Sequence, residues 1–88
     1  MTYPELFAML GRLALVVDAI REPITLKDLA EKAGHSVDTV TRDIDALQEL
    51  GAPIIWIANG GKVRLARRWG FWRVLREASL AAGAVRAD

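Results

Sequence analysis

Cysteine is absent from this sequence of 88 residues, and histidine occurs once, at His35. The absence of cysteine excludes disulfides, thiolate metal ligands and cysteine nucleophiles, and it is typical of a reducing compartment. A single imidazole without a carboxylate cluster beside it does not form a metal site, so we interpret His35 as a turn residue. We therefore expect a cytoplasmic protein that uses no metal and no other cofactor.

Long apolar runs and catalytic motifs are also absent. Apolar stretches such as Leu6–Gly11 and Leu13–Val17 are much shorter than the roughly 20 residues that cross a bilayer. No basic run precedes the first apolar segment, as it would in a secretory signal. No glycine-rich phosphate loop is present, and no serine or acidic residue has the spacing of a nucleophile and its base. These absences predict no membrane partner, no evident small-molecule ligand and no enzymatic activity.

Hydrophobic residues make up 52% of the sequence, and its charged residues are unevenly distributed. The length and composition predict a single domain over residues 1–82, with residues 83–88 as a frayed tail. Residues 1–61 carry five basic and nine acidic side chains, a net −4, whereas residues 62–88 carry seven basic and two acidic, a net +5. The basic end suggests contact with a polyanion; the alternative is a solvated basic tail.

Capping residues and apolar spacing predict four helices. Thr2 and Glu5 have the spacing of a capping box, which begins a helix from about residue 4 to residue 20. This helix is apolar on two sides, so we expect something besides the core to cover it. Thr25 caps a second helix that ends at a glycine, and Ser36 caps a third helix over residues 37–50. A fourth helix is predicted over residues 69–82.

Between the third and fourth helices the pattern changes to that of strands. Residues 54–57 are apolar, residues 62–65 alternate, and Asn59, Gly60 and Gly61 between them favour a tight hairpin turn. A very short strand is expected at Ile24. The predicted fold is therefore an α+β winged helix-turn-helix in the order helix, strand, helix, helix, strand, strand, with an added C-terminal helix. The helix-turn-helix unit covers residues 25–50 and the wing hairpin residues 54–66.

Residues 25–65 resemble the winged helix-turn-helix at the N-terminus of DeoR-type and WYL-domain bacterial transcription regulators. The resemblance is carried by Leu29, Ala30, Ser36, Thr39, Val40, Arg42, Asp43, Ile44, Leu47, Gly51, Pro53, Ile54 and residues 60–65. It implies a transcription regulator whose third helix lies in the major groove of double-stranded DNA. Those families carry a large sensor domain after the wing, so we expect either a stand-alone regulator, such as a small repressor, or an excised domain.

The third helix and the residues around it supply candidates for DNA contact. The candidates for base edges near its start are Val37, Asp38, Thr41 and Arg42. The candidates for phosphate contact are Ser36 and Thr39, and Thr25 is a further candidate for contact with DNA. The resembling families usually have a basic residue in place of Asp38, and this helix is acidic. Asp38 and Arg42 also have the spacing of a surface ion pair, and a further alternative is that Asp38 accepts from a cytosine amino group.

Basic residues at and after the wing offset the acidic helix. They are Lys62, Arg64, Arg67 and Arg68. We interpret them as one cationic patch on the phosphate backbone, and four such contacts predict a log–log salt slope of roughly −3 to −4. The alternative is a solvated strand face.

The aromatic residues are interpreted as core or interface residues rather than as a stacking platform for single strands. The first and last helices are expected to pack together, and their surplus apolar surface predicts a homodimer. The predicted interface consists of Phe7, Leu15, Trp69, Trp72 and Leu75. Two other functions stay open: a winged helix that binds a protein partner without DNA, which the acidic third helix favours, and a sequence-blind architectural DNA binder.

Overall fold

The computed structural model describes residues 2–58 and 60–86, with side chains as far as Leu80. The elements in chain order are α1 (Tyr3–Ala19), β1 (Ile24–Thr25), α2 (Leu26–Ala33), α3 (Val37–Glu49), β2 (Ile54–Ile57), β3 (Lys62–Leu65) and α4 (Phe71–Arg86). This is the α+β winged helix predicted from the sequence, including the added C-terminal helix. In the described part of the chain, no helix has both the length and the apolar composition needed to span a bilayer.

Side chains cap the first three helices at the predicted residues. At α1, Thr2 Oγ1 accepts from the Glu5 amide at 3.3 Å, and the Glu5 carboxylate accepts from the Thr2 amide at 3.2 Å. At α2, Thr25 Oγ1 accepts from the Asp28 amide at 3.1 Å. This helix ends at Gly34, whose φ of 71° lies in the left-handed region. That conformation turns the chain directly into α3.

The three strands form one antiparallel sheet in the order β1-β3-β2. Because side chains alternate along a strand, β3 has one buried and one outer face. Val63 and Leu65 lie in the core, whereas Lys62 is exposed and Arg64 is half-buried on the outer face. The wing is therefore anchored by apolar residues and presents basic residues on its other side.

One hydrophobic core joins the first three helices and the sheet. Its largest fully buried side chains are Ile20, Leu29, Ile44, Leu47, Val16, Val40 and Val63. The fourth helix contacts α1 and adds Phe71, which is 4% exposed. Trp69 and Leu75 pack against the same core and are half-buried. The predicted packing of the first and last helices is thus confirmed, through the first turns of α4.

The structure differs from the prediction at both ends of α4. The helix begins at Phe71 instead of residue 69, because Trp69 packs on the core ahead of it and glycine at position 70 disfavours a helix. It continues to Arg86, so residues 83–86 are helical where a frayed tail was predicted. Alanine, the best helix former, occurs three times in residues 81–84. Residues 87 and 88, and the turn residue Asn59, lie outside the described residues.

The second apolar side of α1 stays open within the described residues. Phe7 is 65% exposed, Leu15 is 39% exposed and Tyr3 is 77% exposed. Tyr3 and Phe7 stack on one another, with their ring centroids 6.4 Å apart. The expectation that both sides of α1 are covered is therefore met only on the side of α4.

Candidate nucleic-acid interface

The third helix is held in the core by one face and leaves the other in solvent. Val40, Ile44 and Leu47 are fully buried, at the helical spacing expected for a single stripe. On the opposite side, Asp38, Arg42 and the residues in line with them are exposed. The packing fixes the rotation of α3 about its axis and so decides which side chains a ligand can touch.

The start of α3 carries the residues predicted to reach base edges. Val37 is 42% exposed, and Asp38 and Arg42 are exposed beside it. Thr41 is half-buried, and its hydroxyl donates to the Val37 carbonyl at 2.7 Å. Since that hydrogen is already used, Thr41 is left as an acceptor and an apolar methyl group on this face.

The ion pair that the sequence allows between Asp38 and Arg42 does not form. The ion pairs of the described residues join Arg12 to Asp43, Arg21 to Asp18, and Arg73 to Glu77. In this part of the chain, the Arg42 guanidinium has no carboxylate partner.

The residues predicted to contact phosphate at the turn hydrogen-bond to each other. Ser36 Oγ accepts from the Thr39 amide at 3.2 Å, which caps α3. The Ser36 and Thr39 hydroxyls lie 3.0 Å apart, so one of them donates to the other. A single hydroxyl hydrogen of the pair remains for a ligand. His35 is exposed in the turn just before them, as predicted.

A salt bridge that the sequence analysis missed ties α3 to α1. Arg12 Nε donates to Asp43 Oδ2 at 2.6 Å, and Arg12 Nη2 donates to Asp43 Oδ1 at 3.0 Å. The Asp43 side chain is 6% exposed and that of Arg12 is 22% exposed. The hydrogen bond to Asp43 raises the pKa of Arg12 above its ordinary value; burial acts against this and the Coulomb attraction reinforces it. The signal in the sequence was a lone arginine inside an apolar helix, which requires a buried partner.

This salt bridge changes the charge that α3 presents to solvent. Three aspartates and one glutamate lie on the helix, and the buried one, Asp43, is neutralised by Arg12. Glu49 is exposed at the end of the helix, in line with Asp38 and Arg42, and it also borders an apolar groove of about 420 Å³ between α1, α3 and α4. The outer face at the helix start is left with Asp38 and Arg42, and Asp45 lies on the same face two turns after Asp38. It is less acidic than the sequence of the helix suggests.

Thr25 and Lys62 are brought together beside the start of α2. They are directly paired in the β1–β3 register, so their side chains share the outer face of the sheet. The Thr25 hydroxyl oxygen is occupied by the amide that it caps, and its hydrogen is available to donate. The pair therefore forms a small polar and cationic corner between the wing and the helix-turn-helix unit.

The other three basic residues of the predicted patch lie elsewhere, around a groove at the base of the wing. We call this the basal groove; its volume is about 630 Å³. It is lined by Arg21, Arg64, Leu65, Ala66, Arg67, Arg68, Trp69, Gly70 and Arg73. The predicted patch of four residues is thus divided, because Lys62 is not part of this lining. Two arginines that the sequence analysis missed join it, and their positions 21 and 73 are too distant in sequence to suggest a cluster.

Two backbone hydrogen bonds place the basal groove. Leu65 N donates to the Ile20 carbonyl at 2.7 Å, and Ala66 N donates to the Pro53 carbonyl at 2.7 Å. The segment after β3 is therefore fixed against the C-terminal end of α1 and the chain that leaves α3. The groove lies at the opposite end of β3 from the hairpin turn.

The residues predicted to form a dimer interface divide into two groups. Phe7, Leu15 and Trp72 are exposed, and Trp72 is 59% exposed. Trp69 and Leu75 are half-buried against the core of their own chain. The exposed group is available for a partner, whereas the second already has a role within the monomer. Among the other aromatic residues, Phe71 is in the core and Trp56 is 49% exposed.

The fold and this site define a winged helix-turn-helix domain of the DNA-binding class. A family model described as an HTH domain matches residues 14–61, which is more than half of the chain, and the chain belongs to this helix-turn-helix domain family. No curated protein and no solved structure matches the chain. Domains of this class bind DNA and are typically not enzymes. In the part of the chain that the structure describes, no three acidic or histidine side chains are grouped as a metal site would need.

Proposed function

We propose that this protein is a sequence-specific transcription regulator whose third helix enters the major groove of DNA. The observation that supports this most is the exposed start of α3, set on a helix that a cap, a buried stripe and a salt bridge hold in place. A rigid support matters because a base contact requires side chains to be positioned within a fraction of an ångström. Val37, Asp38, Thr41 and Arg42 are then the residues that face the bases.

Arg42 is the principal candidate for reading a base. Its guanidinium has no carboxylate partner among the described residues, and a free guanidinium donates in a fork to the N7 and O6 of guanine. In this proposal Asp38 accepts from a cytosine amino group, and its negative charge repels nearby phosphate groups. Both contacts carry sequence information.

Contacts to the phosphate backbone are assigned to two regions beside α3. The first contains Ser36, Thr39, Thr25 and Lys62, at the turn and where β1 meets β3. The second contains the arginines of the wing and of the segment after it: Arg64, Arg67 and Arg68. Contacts of this kind hold the protein in register on the duplex and account for the salt dependence of binding.

Fluorescence anisotropy with a random duplex and with a selected site, across a salt series, tests this function. Arg42→Ala is expected to weaken the selected site by about tenfold or more and random DNA much less. Arg64→Ala is expected to weaken both equally. Arg76→Ala is the matched control, since Arg76 is exposed on α4 and belongs to neither region. No binding at low salt by the unaltered protein would exclude DNA as the ligand.

A second candidate function is a winged helix that binds a protein partner. The observation in its favour is that Asp38 and Asp45 outnumber Arg42 along the outer face of α3. A basic partner would fit that face better than phosphate does. Tight but sequence-blind binding in the same salt series would instead favour an architectural DNA binder.

A homodimer is part of this proposal. The exposed apolar residues Phe7, Leu15 and Trp72 lie on α1 and α4, and a twofold pair would present two copies of α3 to half-sites one helical turn apart. Repression by occupancy of an operator is the simplest action of such a dimer. Light scattering at micromolar concentration measures the oligomeric state. A monomeric mass would contradict the dimer, but it would not contradict the proposed DNA contacts.

A further inference from the structure

The basal groove brings together five arginines from four parts of the chain. Arg21 follows α1, Arg64 lies on β3, Arg67 and Arg68 lie in the segment after it, and Arg73 lies in the first turn of α4. We propose that this groove is a phosphate-binding site, filled by the phosphates of the DNA backbone or by those of a free phosphorylated molecule. Nothing in the sequence alone brings Arg21 and Arg73 to it.

The carboxylates near the groove do not neutralise its positive charge. Arg21 Nη2 is 3.2 Å from Asp18, and Arg73 Nε is 3.5 Å from Glu77, but all four side chains are at least 62% exposed. Such exposed pairs are weak and exchange readily with another anion. No carboxylate pairs with the other three arginines among the described residues, and none lines the groove there. Even with both pairs formed, three positive charges face the cavity.

The chemistry of the lining favours phosphate over other anions. Guanidinium groups donate two parallel hydrogen bonds to phosphate oxygens, and several of them around one cavity can surround a doubly charged group. Mutual repulsion of five guanidinium groups is relieved when such an anion binds. The volume of about 630 Å³ exceeds one phosphate and admits a ligand with two or more.

Two further features of the groove also favour the binding of a phosphorylated molecule. Trp69 forms part of its wall, and the apolar ring can cover the ester side of a phosphorylated molecule. The first turn of α4 contains no acidic residue, so the positive end of its peptide dipoles is not neutralised locally. Both features support a site that the arginines define.

The site is tested first with inorganic pyrophosphate, independently of DNA. The variant Trp56→Phe/Trp72→Phe replaces two exposed indoles with phenyl rings and leaves Trp69, in the groove wall, as the only tryptophan. We expect its fluorescence to change saturably with pyrophosphate at low salt. In this background Arg21→Ala and Arg73→Ala are each expected to weaken binding about five- to tenfold, the loss of one charge-assisted contact.

Two matched variants separate the site from a general charge effect. Arg76→Ala removes the same charge from the same helix outside the groove and is expected to change pyrophosphate binding less than twofold. Arg73→Lys keeps the charge but loses the planar fork, so its affinity is expected to fall between Arg73→Ala and the unaltered residue. Circular dichroism shows whether each variant is folded.

A second arm, duplex binding by anisotropy, identifies the source of the phosphate; this arm alone rests on the proposed function. If Arg21→Ala and Arg73→Ala each weaken the binding of both pyrophosphate and duplex DNA, the result supports the site and identifies the DNA backbone as the source of the phosphate. If they weaken the binding of pyrophosphate but not of duplex DNA, the result supports the site and identifies a free phosphorylated molecule as its ligand. No saturable pyrophosphate signal in the millimolar range, or equal losses in Arg76→Ala, would overturn the site. If the protein binds no DNA, the proposed function fails while the pyrophosphate result stands on its own.

Discussion

The outer face of α3 and the basal groove lie on the same small domain and carry opposite charges. The outer face of α3 presents Asp38 and Asp45 against Arg42, whereas the groove presents five arginines and no carboxylate among the described residues. The first region has the shape and exposure of an element that enters a groove in DNA. The second has the charge that attracts phosphate.

This division indicates that base recognition belongs to α3 and that the attraction of phosphate belongs to the basal groove. Base contacts depend on donor and acceptor patterns, so an acidic helix can make them if another region offsets its repulsion from phosphate. The salt bridge between Arg12 and Asp43 assists, because it removes one negative charge from α3. Four predictions test this division, from the largest expected effect to the smallest.

Breaking the salt bridge is expected to have the largest effect. Arg12→Ala leaves the Asp43 carboxylate buried without a partner, which should lower the free energy of unfolding by about 2–3 kcal/mol. This is below the cost of a fully buried pair because the Arg12 side chain is 22% exposed. Urea denaturation measures it. The double variant Arg12→Met/Asp43→Leu, which removes both charges, should return to within about 1 kcal/mol of the unaltered protein. An unchanged midpoint for Arg12→Ala would show that the salt bridge contributes little.

Removing two charges from the basal groove tests its share of DNA attraction. Arg67→Ala/Arg68→Ala is expected to reduce the log–log salt slope by about 2 and to weaken binding to random duplex about tenfold at low salt. Anisotropy across a salt series measures both quantities, with Arg76→Ala as the control that keeps the slope. A double variant with the original slope would mean that DNA does not reach this groove.

Removing the N-cap of α3 tests how much the cap stabilises the N-terminal end of this helix, which carries the candidates for base contact. Ser36→Ala deletes the acceptor of the Thr39 amide and should cost about 1 kcal/mol of stability, measured by thermal unfolding. Thr25→Ala, which removes the equivalent cap of α2, should cost a similar amount and serves as the comparison. Stability unchanged in Ser36→Ala but reduced in Thr25→Ala would show that α3 starts without help from its cap.

Neutralising one acid on α3 is expected to have the smallest effect. Asp45→Asn should strengthen binding to random duplex about two- to threefold at low salt, because it removes repulsion from phosphate. Glu49→Gln makes the same change in charge on the same helix, but its side chain lines the groove toward α1 and α4. It should therefore have a weaker effect. Equal gains from the two variants would indicate that only the total charge of α3 matters.

Much of the fold was predictable because its signals are local. The capping box at Thr2 and Glu5, the caps at Thr25 and Ser36, and the left-handed Gly34 each act within a few residues. The change from helical spacing to alternation located the wing in the same way. The end of α4 was placed wrongly, because the sequence pattern weakens where the apolar residues no longer repeat.

The candidate site was predictable only in part. Which face of α3 is exposed followed from its buried stripe, but the absence of an Asp38–Arg42 pair depended on side-chain positions that spacing alone leaves open. The basic residues after the wing were recognised as a group, yet the fold separates Lys62 from Arg67 and Arg68 by the length of β3. Strand direction, rather than proximity in sequence, set that separation.

The sequence by itself determined the kind of domain: the order of helices and strands, their caps and turns, and the excess of positive charge after the wing. Tertiary structure alone decided which distant charges meet. Arg12 meets Asp43 across 31 positions, and Arg21 and Arg73 join the arginines of the wing, because the packing of α1 against α3 and α4 brings these residues together. Charge interactions depend on distance in space, which is set by how whole elements pack and leaves no periodic trace in the sequence.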